Sequence, residues 1–224
     1  MKGIQLWPKN TALWKVLVLC VLSALCNQAL CLFVFRGPVR IPLYLDTVFT
    51  VAMCFSAGFL PAFLAGAVIM PLSTPLIYMF LLGTTYEMSV VMSMVVNIFA
   101  LCIIAEIALV CMYHAKMKKR EAVFLEKPSL HSFIGMAPLL LGLVALDCIV
   151  ISFLGGFIDF GLTLYSAPRI DFPEDSFKLG LLRNNVPLLA TAILSRIPIN
   201  IVDRFFAVFG GYGISLLYRK WLVH

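Results

Sequence analysis

Six apolar stretches, at about 13–35, 44–59, 61–82, 88–115, 133–158 and 198–219, take up most of this chain and leave it little surface to show to water. A run of about 20 apolar residues is what an α-helix needs to cross a bilayer core of ~30 Å. With 62% hydrophobic residues, 12% charged residues and a mean hydropathy of +1.02, the chain lies far outside the soluble range of roughly 45–50% apolar and 25% charged. The expected fold is therefore all-α: a polytopic membrane protein with a six-transmembrane-helix bundle, forming a single transmembrane helical domain over 1–224. No internal repeat, linker or low-complexity tract divides it.

Length decides where the crossings break. The stretch 44–82 has no polar loop, yet as one helix at about 1.5 Å per residue it would run to about 58 Å, twice the core. It must be a hairpin, turning at Gly58-Phe59-Leu60-Pro61, with Pro71 and Pro75 kinking the third helix where neighbours satisfy the freed carbonyls. Residues 185–217 are also too long for one straight span and contain Pro198. They predict a short helix or re-entrant piece at about 186–195, then a last crossing with proline in its first turn.

Basic residues set the orientation. Lys2, Lys9, Lys15, Lys116, Lys118, Lys119, Arg120, Lys127, Arg219 and Lys220 fall on one side, against Arg36, Arg40, Arg169, Lys178 and Arg183 on the other. The positive-inside rule then puts both termini and the loop 116–132 in the cytoplasm. The net charge of +6 is topogenic in this setting and implies no nucleic acid. The first stretch, longer than a signal-peptide core and without an Ala-x-Ala site, reads as a retained helix. The outer segment 164–184, with Asp171, Glu174 and Asp175, is expected to be a long loop able to act as a lid.

Polar residues inside lipid are costly and mark function by default. Arg40, Tyr44 and Asp46 stand at the outer start of the second stretch, Asn97 midway along the fourth and Asp159 at the outer end of the fifth. Asn200, Asp203 and Arg204 lie in the outer half of the sixth. Together they are expected to line a pocket for a small polar solute. Asn200, Asp203, Ala207 and Gly210 share one helix face, and Ala207-x-x-x-Gly211 and Ala62-x-x-x-Gly66 are small-residue patterns that let helices approach closely. The plainer alternative is a structural ion pair of Asp46 or Asp203 with Arg204 or Arg196, with Asp46 serving as a helix N-cap.

Glu106 and Asp147 lie deeper, either as a proton relay or as neutral carboxyls bonded to a neighbouring helix. Trp14, Tyr113, His114 and Trp221 read as interfacial anchors. The seven cysteines form no C-x-x-C pair and act as small hydrophobes. No phosphate loop, nucleophile elbow or zinc motif is present, so neither enzyme activity nor a cofactor or metal is expected, and ATP hydrolysis must come from elsewhere.

A chain of this size with Ile41-Pro42-Leu43-Tyr44-Leu45-Asp46-Thr47-Val48 leading into a Gly-Pro hairpin resembles the substrate-binding S component of energy-coupling factor (ECF) vitamin transporters. So does its ending, Ile197-Pro198-Ile199-Asn200-Ile201-Val202-Asp203-Arg204 before Tyr212 and Leu217-Tyr218-Arg219-Lys220. The resemblance implies a membrane solute-binding subunit for uptake of a vitamin-like small molecule. It also implies a bacterial or archaeal cytoplasmic (inner) membrane, and a separate T component with two ATPases as partners. The Ala-x-x-x-Ala contact that the family's first helix often offers the T component is replaced by Cys20-x-x-x-Ala24. The alternatives are a stand-alone proton-coupled transporter using Glu106 and Asp147, and an S-component-like membrane sensor or scaffold without transport.

Overall fold

The computed structural model describes residues 4–8, 11–36, 43–83, 86–126, 130–165 and 175–223. Arg40, Lys127, Arg169, Asp171 and Glu174 lie outside the described residues. Every described element is helical. In chain order they are α1 (Leu13–Cys31) running into a π-helical turn (Leu32–Arg36), α2 (Val48–Ser56) and α3 (Phe59–Phe63). A second π-helical turn (Leu64–Ile69) leads into α4 (Met70–Leu82), followed by α5 (Tyr86–Glu126), α6 (Leu130–Tyr165), α7 (Asp175–Arg183), α8 (Leu188–Leu194) and α9 (Ile197–Val223).

Among the described residues, four segments are long and apolar enough to cross a membrane: Leu13–Val34, Phe59–Ile77, Asn97–Glu126 and Phe133–Leu164. Their outer surfaces suit lipid. On α6 the exposed stripe is Leu141, Ile149, Phe153 and Phe157, as apolar as the core it covers. α9, at 27 residues, reaches about 40 Å, but Asp203, Arg204, Arg219 and Lys220 set its composition apart from the other four. The expected crossing at 44–59 is corrected: α2 has nine residues, about 14 Å, too short to span the core as a helix.

The hairpin turns where glycine allows it. Gly58 has φ +99°, a left-handed conformation that costs a side chain dearly, and a Cβ there would run into the Gln5 carbonyl. The next two amides, Phe59 and Leu60, donate to Gln5 O at 2.9 Å and Leu6 O at 3.0 Å, so the N-terminal segment closes this end of the bundle. On α4, the Gln28 amide nitrogen from α1 donates to Met70 O (2.6 Å), just ahead of Pro71, and to Thr74 Oγ1 (2.9 Å) and Ser73 Oγ (3.0 Å) between Pro71 and Pro75.

The fourth stretch is longer than expected: α5 continues unbroken to Glu126, so Lys116, Lys118, Lys119 and Arg120 are exposed positions on a helix rather than in a loop. The segment 164–184 is likewise not all loop, since 175–183 forms α7. The break near Arg196 is as expected, with α8 ending at Leu194 and Pro198 in the first turn of α9.

α2 is the wedge of the bundle. It packs along α9 on one side and against α5 on the other, with Val51, Ala52, Met53 and Phe55 buried. Small residues permit this: a Cβ on Gly211 would stand 2.8 Å from Val48 O, and one on Gly66 would stand 2.8 Å from Thr50 Cγ2. Cys20 and Ala24 are buried within the bundle, and the Cys20 thiol donates to Pro61 O at 3.4 Å. That pair faces inward rather than toward a partner. Trp14 and Trp221 meet edge to face at 5.8 Å, with Lys15 Nζ 5.9 Å from both rings, so α1 begins and α9 ends at the same end of the molecule.

Candidate functional site

One guanidinium organises the buried polar residues. Arg204, on the inner face of α9, places Nη1 2.6 Å from Glu106 Oε1 of α5 and Nη2 2.5 Å from Asp203 Oδ2. Asp46 Oδ1, just ahead of α2, is 3.7 Å from Nη2, and Asp147 Oδ2 of α6 is 4.0 Å from Nη1. Thr47 completes the ring by donating to Glu106 Oε1 at 3.0 Å and accepting from Arg204 Nη1 at 3.0 Å. The planar fork of arginine suits this work, because it offers five N–H donors to several carboxylates at once.

The backbone is shaped to the cluster. Asp203 Oδ1 accepts the Leu45 amide at 2.8 Å, and Leu45 sits at φ +47°. A non-glycine residue in the left-handed region costs roughly 1–2 kcal/mol, a strain that clusters at functional sites. The Asp203 bond holds it and aims Asp46 at Arg204. Next door, Asn27 of α1 accepts the Phe49 amide and donates to Thr50 Oγ1, both at 2.8 Å, fixing the first turn of α2.

Carboxyl groups outnumber cations here. Arg204 faces four carboxylates, and Asp203, Glu106 and Asp147 are all at most 1% exposed, while Asp46 is 28% exposed. The Asp147 carboxyl is hydrogen-bonded to that of Glu106, and Arg204 Nε has no partner. Buried charges without full pairing are expensive.

Several residues expected together are apart. Asp159 is buried but belongs to another group: Lys178 of α7 lies 2.8 Å from its Oδ2 and 3.2 Å from Asp175 Oδ1. Twelve residues separate it from Asp147 on α6, about 18 Å of rise, so it anchors α7 rather than lining the cluster. Asn97 is exposed on α5. Tyr44 is half-buried and packs against Val34, Leu43 and Ile199. Asn200 is buried one turn from Asp203 and donates to Ser152 Oγ of α6 at 2.9 Å. Asp46 is not the N-cap of α2; Thr47 holds that position, without a side-chain capping bond. Conversely, Glu106 and Asp147, expected as a separate pair, join Arg204. Arg196 is buried over the Phe99 ring at 5.1 Å.

A second buried polar group lies about 22 Å along α9 and α5, fifteen residues from Arg204 and from Glu106. His114 Nε2 is 2.8 Å from Glu121 Oε2, Arg219 Nη2 is 2.7 Å from Glu121 Oε1, and Arg219 also donates to Phe55 O at the C-terminus of α2. His114 is therefore buried rather than an interfacial anchor. α2 thus sits between two ionic clasps that tie α5 to α9. Among the described residues no group of His, Cys, Asp or Glu has the geometry to hold a metal ion, and the cysteines are free thiols. No protein-family model, no curated protein and no solved structure matches the chain.

Proposed function

We propose that this chain is a membrane solute-binding subunit for uptake of a vitamin-like small molecule, with the Arg204 cluster as its site. The observation that carries this reading is the convergence of five ionisable side chains from α5, α6, α9 and the segment before α2 inside an otherwise apolar bundle. Such residues are costly in lipid and mark binding or transport sites. The strained Leu45 beside them adds to that. Energy comes from a separate T component and two ATPases in the bacterial or archaeal cytoplasmic membrane, as the S-component resemblance implies. Solute uptake by cells carrying Asp203→Ala with Asn200→Ala is expected to fall about tenfold or more, the worth of one lost charge-assisted hydrogen bond. Uptake unchanged in that variant rejects the reading.

The placement of Glu106 and Asp147 against Arg204 favours a second reading, a stand-alone proton-coupled transporter. ATP depletion separates the two. Uptake that survives it but collapses with the proton gradient supports the second and rejects the first.

A further inference from the structure

We infer that the end of the bundle where α1 begins and α9 ends is a docking surface for anionic phospholipid headgroups, with Lys116, Lys119 and Arg120 of α5 as its contacts. Cations gather at this end without acids to match. Lys116, Lys118, Lys119, Arg120 and Lys220 are exposed and Lys15 is half-buried. Glu121 is turned inward, to His114 and Arg219. Among the described residues at this end the other acid is Glu126, seven residues beyond Lys119 and so about 10 Å further along the helix.

The register of α5 points to lipid rather than to a soluble partner. His114, Met117 and Glu121 line the buried side of the helix. Leu101, Met112, Lys116, Lys119 and Val123 fall together on the opposite side, where Leu101, Met112 and Val123 are 60%, 49% and 62% exposed. An apolar face suited to acyl chains thus turns cationic about 6 Å beyond Met112, as a phospholipid turns from chain to phosphate. Lysine stems lie along apolar surface and lift the ammonium toward headgroups. The tryptophans give the depth. Trp14 and Trp221 are both exposed and meet at this end beside Lys15, and indoles of this kind sit at headgroup level. Because Arg219 bonds Glu121, Lys119 and Arg120 lie within about one helical turn of the depth of Trp221. Basic clusters next to a membrane helix draw anionic lipid. An acidic soluble protein would match the charges but not the apolar face that they continue.

The test titrates the purified full chain in detergent with phosphatidylglycerol or with phosphatidylcholine of the same acyl chains, and native mass spectrometry reads the Kd of each. Phosphatidylglycerol is expected to bind at least about tenfold more tightly. Lys116→Gln, Lys119→Gln and Arg120→Gln together are expected to erase that preference and to leave phosphatidylcholine binding unchanged. Glutamine preserves helix propensity at these exposed positions. Two further variants guard against a general effect: Lys116→Arg with Lys119→Arg, which keeps the charge, and Arg183→Gln on α7, which Lys178 clasps to Asp159 at the far end of α6. Both are expected to keep the preference. Equal binding of the two lipids overturns the assignment and leaves the patch to an acidic protein. A preference that survives the triple change, or that Arg183→Gln abolishes, overturns it as well. Inorganic phosphate that displaces phosphatidylglycerol at equal concentration would make this a site for the free anion and refute the lipid.

Discussion

Arg204 pays its desolvation cost through four carboxylates, and that makes it the residue whose loss is felt most. Removing one partner of a buried ion network typically costs 3–5 kcal/mol, because the charges left behind have neither water nor a counter-ion. Arg204→Met is therefore expected to lower unfolding stability by about that amount in detergent denaturation, and loss of less than about 1 kcal/mol would show that the carboxylates need no guanidinium. Arg204→Lys is expected to fall between, since a single ammonium cannot serve Glu106, Asp203 and Asp46 through separate nitrogens. Asp46, Asp203, Arg204, Glu106 and Asp147 were each legible in the sequence, because ionisable residues in apolar runs stand out. Their grouping was not, since depth along a helix does not say which faces meet. Thr47 and the Leu45 amide do not stand out in the sequence: a hydroxyl and a backbone N–H carry no distinguishing signal until Arg204 and Asp203 reach them.

At the scale of elements, α2 explains most of what differs from expectation. Its apolar residues read as a membrane crossing, yet they are buried because α5 and α9 enclose them, and composition cannot tell a lipid-facing helix from one walled in by protein. The close approach of α2 and α9 at Gly211 yields a sharp contrast along one helix. Gly211→Ala places a Cβ 2.8 Å from Val48 O and 2.9 Å from Val51 Cγ1, an overpacking expected to cost about 1–3 kcal/mol. Gly213→Ala meets nothing within 4 Å and is expected to gain roughly 0.5–1 kcal/mol from helix propensity. Denaturation of the two variants side by side checks both signs; equal effects would mean that the helices do not touch at Gly211. The small-residue pattern Ala207-x-x-x-Gly211 was readable in advance, whereas its partner helix was not.

For the whole molecule, α7 is held to the bundle by charge. Burial works against the Lys178 ammonium, but its bond to Asp159 and the charges of Asp159 and Asp175 outweigh it and hold its pKa above the ordinary 10.5. A raised pKa means that the clasp is fully present below pH 10.5 and is lost as pH rises through the higher folded value. Amide exchange corrected for its intrinsic pH dependence is expected to show α7 losing protection above that range, and Lys178→Met to lose it at neutral pH; protection independent of both would put the hold on α7 elsewhere. The apolar character and the break before α9 followed from length and hydropathy, while the two clasps joining α5 to α9 around α2 required the fold. The Arg204 cluster as a solute site is tested most directly by native mass spectrometry of the protein taken from its own membrane. The wild-type chain is predicted to carry a small bound solute that is missing from Asp203→Asn, and a wild-type spectrum without added mass, or the same added mass in the variant, would contradict it.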